Sequence, residues 1–377
     1  MRLRTAFLLA IIAITLVVVL VLIRPGAHQA VTLAPLGDPP AGQTALPLSV
    51  IGRAALSPDG TRVDYSWPLS GAQTWFSGDT VTVRISDTPG RLSLKIDGQA
   101  VADLAHPGNA SVTVRGLKSH AGGHHLEIVK YNESLGATGH LLGVYGDAAR
   151  PTYQSVTGQM EVIGDSWTAG YGDLSDSHVC TPLKLSDTTD ARLTWGVQVA
   201  GALGLDMHMA AYSGIGIVRN YGGQAPGVTM PAIYDNATFG DKRPYDATGW
   251  QPQLIVIALG GNDFETPLRP GEAWPDMEAL RNDFVTRYVA FIRKLRRDNP
   301  KAGIVLMNYG EVEVVGATRK ILTQLKSEGE TRIATYTAPG PFEQTGCDWH
   351  LNGHDYHKIA DGLMAWLRQN PEIWQGR

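Results

Sequence analysis

The pattern of apolar and polar positions changes twice along this chain. Thr5 to Ile23 is an apolar run broken only by two threonines. As a helix rising ~1.5 Å per residue it spans close to the ~30 Å hydrocarbon core of a bilayer. Met1-Arg2-Leu3-Arg4 precedes it, and a basic start stays on the cytoplasmic side, so the rest of the chain is expected outside the cytoplasm, periplasmic or extracellular. Residues 1–24 read either as an uncleaved signal anchor, with residues 5–23 tethering the protein to the cytoplasmic membrane, or as a cleaved signal peptide. The run exceeds the ~7–15 apolar residues of a signal-peptide core, and Gly26-Ala27-His28-Gln29-Ala30 is a poor cleavage site; both favour the anchor. Residues 25–46 are rich in Pro, Gly, Ala and Thr and read as a flexible tether.

From 47 to 152 the apolar period is two. Thr80 to Ser86, Arg91 to Ile96 and Ser111 to Val114 alternate strictly, and His125 to Val129 is a fourth candidate. Pro89-Gly90, Asp97-Gly98 and Gly122-Gly123 mark turns. Short alternating strands at this spacing predict an all-β sandwich of roughly 100 residues.

From 155 to 377 the pattern changes again. Glu161 to Ile163, Met207 to Tyr212, Leu254 to Leu259, Ile304 to Met307 and Arg332 to Tyr336 are short apolar runs, as expected of strands buried on both faces. Between them lie helical spacings: Thr189 to Leu203, Met277 to Leu295 through Leu280, Phe284, Tyr288 and Phe291, and Val314 to Leu325. Strands alternating with helices predict a three-layer α/β domain on a parallel sheet.

Composition removes several function classes. Net charge is −4 with no basic excess, so no nucleic-acid partner is expected. No CxxC pair occurs, and neither a metal nor another cofactor is expected. There are two cysteines, Cys180 and Cys347. Outside the cytoplasm they could form one disulfide, or stay two separate thiols.

Parallel sheets bind ligands at the carboxyl ends of their strands, so the candidate chemistry lies at the strand exits. The first exit is Ile163-Gly164-Asp165-Ser166-Trp167-Thr168-Ala169-Gly170-Tyr171-Gly172. The second is Tyr212-Ser213-Gly214-Ile215-Gly216, the third Leu259-Gly260-Gly261-Asn262-Asp263. The segment before the C-terminal helix holds Gly346-Cys347-Asp348-Trp349-His350. Singly, each is a turn or a helix cap. Their order in one α/β unit is the signal.

That order resembles the SGNH hydrolase superfamily, with Ser166, Gly214, Asn262 and His350 as its Ser, Gly, Asn and His. The resemblance covers about 155–370. The β-rich segment before it looks like the N-terminal jelly-roll sandwich of carbohydrate esterase family two, whose habits Gly122 to Lys130, Ser213 to Gly216 and Cys347 to His350 match. The resemblance implies a serine esterase that removes O-acetyl groups from carbohydrates of the xylan or glucomannan type, while the expected membrane anchor would also suit the cell's own exopolysaccharide. Ser166 would be the nucleophile and His350 its base. The N–H groups of Ser166 and Gly214 and the Asn262 amide would form the oxyanion hole. The superfamily's usual Asp stands three residues before its His; here the spacing is Asp348-x-His350. Either the Asp348 carboxylate or a backbone carbonyl would orient His350. Trp167 and Trp349 either line a sugar subsite or pack around the site. A Cys180–Cys347 bond would tie the two halves of the site together. The same residues would also suit an envelope polysaccharide O-acetyltransferase, a lipase or a thioesterase, and a non-catalytic glycan-binding protein is the remaining alternative.

Overall fold

The computed structural model describes residues 30–118, 122–134, 136–151 and 158–375. The expected signal anchor lies outside the described residues. Among the described residues no helix is long and apolar enough to cross a membrane.

The N-terminal part is an antiparallel β-sandwich organised around one long strand, Gly71–Asp87. Its first half pairs with His124–Lys130 and its second half with Gly108–Arg115. The change of partner falls about Gly78, whose φ of 87° suits glycine. Val81, Val83 and Ile85 alternate with polar neighbours and are fully buried, beside Val112, Val114 and Ile128. The strict period of two therefore marks the core face.

Part of the expected tether is sheet. Ala30–Pro35 pairs antiparallel with Gly108–Arg115, Ala30 opposite Arg115, and Thr44–Ala45 pairs with Tyr145 and Gly146. Val31 and Leu33 pack against the sandwich core. Two apolar side chains in a Pro- and Thr-rich stretch are too weak a pattern to announce a strand. What recruits them is an edge that would otherwise leave its backbone N–H and C=O groups unpaired.

The C-terminal part is a five-stranded parallel sheet in the spatial order Asp206–Ala211, Gln159–Gly164, Leu254–Ala258, Gly303–Asn308, Ile333–Thr337. Helices Met277–Asp298 and Val312–Ser327 cover one face through Phe284, Tyr288, Ile321 and Leu325. Helices Trp195–Leu203 and Gly353–Gln369 cover the other through Trp195, Val199, Ile359 and Leu363. The helix expected from Thr189 begins only at Trp195. Asp190 caps a separate 3-10 turn, Ala191–Leu193, and Thr194 is extended. Chain order reverses at the strand Gln159–Gly164, which makes its exit the switch point where ligands bind in such sheets.

The two parts meet through a buried ion pair. Arg53, 1% exposed, puts Nη2 2.6 Å from Oε1 of Glu161, which is fully buried on the strand Gln159–Gly164. Arg53 Nη1 donates to the Tyr234 carbonyl at 2.6 Å, and the Tyr234 hydroxyl donates to Glu161 Oε2 at 2.8 Å. The guanidinium lies over the rings of Tyr234 and Tyr245. Burial opposes its charge, but Glu161 and the tyrosines outweigh that and raise its pKa. Removing one partner of such a pair leaves an uncompensated buried charge. Glu161→Gln is expected to lower the unfolding free energy by about 3–5 kcal/mol, read by urea titration, with both sheets lost in one transition. A loss below about 1 kcal/mol would rank the pair with surface bridges instead.

Candidate active site

Gly164 ends the first parallel strand, and a Cβ there would overlap the Thr168 side chain. Asp165 is extended, and its Oδ1 accepts from the Trp167 N–H at 3.0 Å. That cap starts the one-turn helix Ser166–Ala169, which Gly170 closes at φ 83°. Ser166 is its first residue, so its N–H has no intrahelical acceptor. The Ser166 hydroxyl lies 2.8 Å from His350 Nε2.

His350 is held by backbone. Its Nδ1 is 2.9 Å from the Cys347 carbonyl and 3.2 Å from the Asp348 carbonyl. A carbonyl only accepts, so Nδ1 carries the proton and Nε2 presents its lone pair to the Ser166 hydroxyl. The Asp348 carboxylate does not reach the imidazole; Oδ2 accepts from the Tyr171 hydroxyl at 2.9 Å. The reason is local. Residues two apart share a side only in an extended strand, whereas Asp348 and Trp349 both have positive φ, 49° and 60°. The turn swings the carboxylate away and the carbonyls inward.

Several contacts secure this unfavourable turn. Cys347 N–H donates to the Gly172 carbonyl at 3.2 Å, and Asp348 N–H to the His178 carbonyl at 2.8 Å. Cys347 is disulfide-bonded to Cys180. Gly172 must be glycine, because its φ is 57° and a Cβ would strike Cys347. The Tyr171 ring covers the imidazole at 4.2 Å. Burial and the bond to Asp348 raise the Tyr171 pKa, which keeps its hydroxyl a donor.

Gly214 follows the strand Asp206–Ala211 with φ 76°. Its carbonyl accepts from the Tyr221 N–H at 2.8 Å, and among the described residues its own N–H has no protein partner. Asn262 sits in the short helix Gly261–Phe264. Its Nδ2 donates to the Ile215 carbonyl at 3.0 Å and to Asp165 Oδ2 at 3.2 Å. Both amide protons are thus engaged, and an oxyanion would have to take one over. Asp263 is fully buried and accepts from the N–H groups of Ile217, Val218 and Arg219, so it fixes the loop behind Gly214. Burial pushes Asp165 up to about 7 and Asp263 up to about 6.

The two tryptophans part company. Trp167 packs against Tyr309 and Phe342, a packing role. Trp349 is 61% exposed, with its ring 4.4 Å from that of His178. Two neighbours of the site carry no sequence signal of their role. Tyr171 stands inside the first exit block, but nothing in that block says that its ring faces a residue 179 positions away. Glu133 belongs to the sandwich, yet bonds the residue before Gly214.

Burial also lowers the His350 pKa from its ordinary 6.5, against the bonds from Cys347 and Asp348 and the Asp348 charge. The imidazole should therefore stay neutral as the pH falls past 6.5. A His350 ring-proton resonance titrating below that value in NMR is the expected result; a midpoint at or above it would contradict the buried geometry.

Residues 162–360 match the GDSL-like lipase/acylhydrolase family, and residues 50–152 match the carbohydrate esterase 2 N-terminal domain. An acetylxylan esterase / glucomannan deacetylase of Cellvibrio japonicus (strain Ueda107) is 34% identical over 336 residues, 87% of this chain and 92% of that protein. A solved carbohydrate esterase superposes with a TM-score of 0.78 at 33% identity, covering 88% of this chain and 100% of that one. A family two carbohydrate esterase from Clostridium thermocellum, solved in complex with cellohexaose, gives 0.72 at 23% identity over 86% and 99%, a likeness of fold. With these matches and the Ser166–His350 pair at one sheet exit, the chain belongs to the GDSL-like (SGNH) hydrolases and is a carbohydrate esterase of family two.

Proposed function

We propose that this chain removes O-acetyl groups from polysaccharide hydroxyls through an acyl-enzyme on Ser166. The observation that carries the reading is the 2.8 Å contact between the Ser166 hydroxyl and the lone pair of His350 Nε2. A serine hydroxyl is a poor nucleophile until a base takes its proton. Nε2 takes that proton as Oγ bonds to the acetyl carbonyl carbon. The carbonyl oxygen becomes an oxyanion, met by the N–H groups of Ser166 and Gly214 and by the Asn262 amide; each such donor is worth about 3–4 kcal/mol of barrier. The C–O bond to the sugar then breaks, and the imidazolium returns the proton to the leaving oxygen. Water attacks the acetyl-serine by the same route, releasing acetate and restoring Ser166.

Acetylated xylan and glucomannan are supported as substrates by the relatives' activities, and the exposed Trp349 ring next to the base in sequence offers a face on which a sugar can stack. Export is supported by the apolar run after Arg2 and Arg4, and by a disulfide, which persists in oxidising compartments.

Incubation with acetylated xylan or glucomannan and no added acceptor should release acetate. Ser166→Ala should abolish both the release and labelling by a fluorophosphonate probe. A folded wild-type protein that neither releases acetate nor labels would sink the reading. Because carbonyls orient His350, Asp348→Asn should lower kcat only a few-fold; a loss near the ~10⁴ of a triad aspartate would give the carboxylate back its role.

A further inference from the structure

Glu133 stands in the loop after the strand His124–Lys130 and is 7% exposed. Its Oε1 accepts from the Ser213 backbone N–H at 2.6 Å, and its Oε2 accepts from the Ser213 hydroxyl. One carboxylate from the sandwich thus grips a hydrolase residue at two points. Two bonds to one residue fix its orientation as well as its place. The next residue is Gly214, held from its far side by the Tyr221 N–H on its carbonyl.

The grip has a rigid base. Asn132 Oδ1 accepts from the Arg91 N–H at 2.8 Å and from Lys130 Nζ at 2.9 Å, and its Nδ2 donates to the Pro89 carbonyl at 2.9 Å. The Tyr131 carbonyl accepts from the Ala191 N–H at 2.8 Å. Burial pushes the Glu133 carboxyl up to about 7, against the two bonds from Ser213 and the charge of the fully buried Lys130. A buried carboxylate is costly unless its acceptors are filled. Here what fills them is the residue that sets the direction of the Gly214 peptide.

We propose that Glu133 is a positioning residue for ester cleavage: through Ser213 it aims the Gly214 N–H at the developing oxyanion. The sandwich then supplies part of the catalytic geometry as well as a wall against the hydrolase. This rests on the acyl-enzyme reading above. An N–H that must point where charge develops stabilises the transition state more than bound substrate. Its misdirection shows in kcat and leaves KM nearly alone.

The test is steady-state kinetics on an acetylated xylo-oligosaccharide, well below the melting temperature of every variant. Glu133→Ala should lower kcat by about 10²-fold, the scale of losing one oxyanion donor, with KM little changed. Glu133→Gln keeps the shape and an acceptor for the N–H, and should restore most of that loss. Ser213→Ala removes only the hydroxyl bond and should cost about tenfold; it decides the matter if Glu133→Ala does not fold. Wild-type kcat in folded Glu133→Ala or in Ser213→Ala, a loss carried by KM alone, or a fall in Tm with kcat intact would overturn the proposal. An inactive wild-type enzyme would instead overturn the esterase reading, so the two failures are distinguishable.

Discussion

The structure depends on a charge in an unusual place. Glu161 is fully buried, and it sits on the strand that delivers Ser166 five residues later. An isolated carboxylate cannot be kept charged there, because desolvation costs several kcal/mol or more. Arg53 neutralises it, and Arg53 comes from the sandwich. The α/β part alone would hold that buried acid with only the Tyr234 hydroxyl beside it and no counter-ion. Trp67 of the sandwich strengthens the joint, since it packs within the hydrolase core against Phe239. The two parts look like separable modules in sequence, but the pairing makes them one unit.

The Ser166–His350 pair shows how such a joined frame is used. Asp348 and Trp349 occupy a backbone region that L-residues rarely adopt. Such a turn persists only where its surroundings over-determine it. Here the surroundings are the disulfide, two backbone bonds from the loop after Ser166, and the Tyr171 ring. In return the turn points two carbonyls at His350 Nδ1, so the imidazole is oriented by backbone dipoles and the aspartate serves the tyrosine.

Much of this is legible in the sequence, and the limits are physical. The inner parallel strands show as continuous apolar runs because they are buried on both faces, and Leu254–Ala258 lies within the expected run. The four exit blocks are legible because glycine and an N-cap aspartate leave local marks, as at Gly164 and Asp165. The strand Ala30–Pro35 is not, since its stability comes from a partner about 80 residues away. Asp348 misleads because the two-residue rule assumes extended backbone. Glu133 is invisible because its meaning lies wholly in a contact 80 positions along the chain.

In the mechanism proposed for Ser166, the burial around His350 has a consequence for the step that expels the sugar. A site that lowers the proton affinity of the imidazole makes it a weaker base toward Ser166. By the same amount it makes the imidazolium a stronger acid. A sugar alkoxide is a reluctant leaving group, and its departure is helped in proportion to the acidity of the donor beside it. An enzyme that cleaves esters of ordinary alcohols, with no activated leaving group to help it, therefore gains in expulsion what it forgoes in attack. A negative carboxylate on Nδ1 would have tilted that balance the other way.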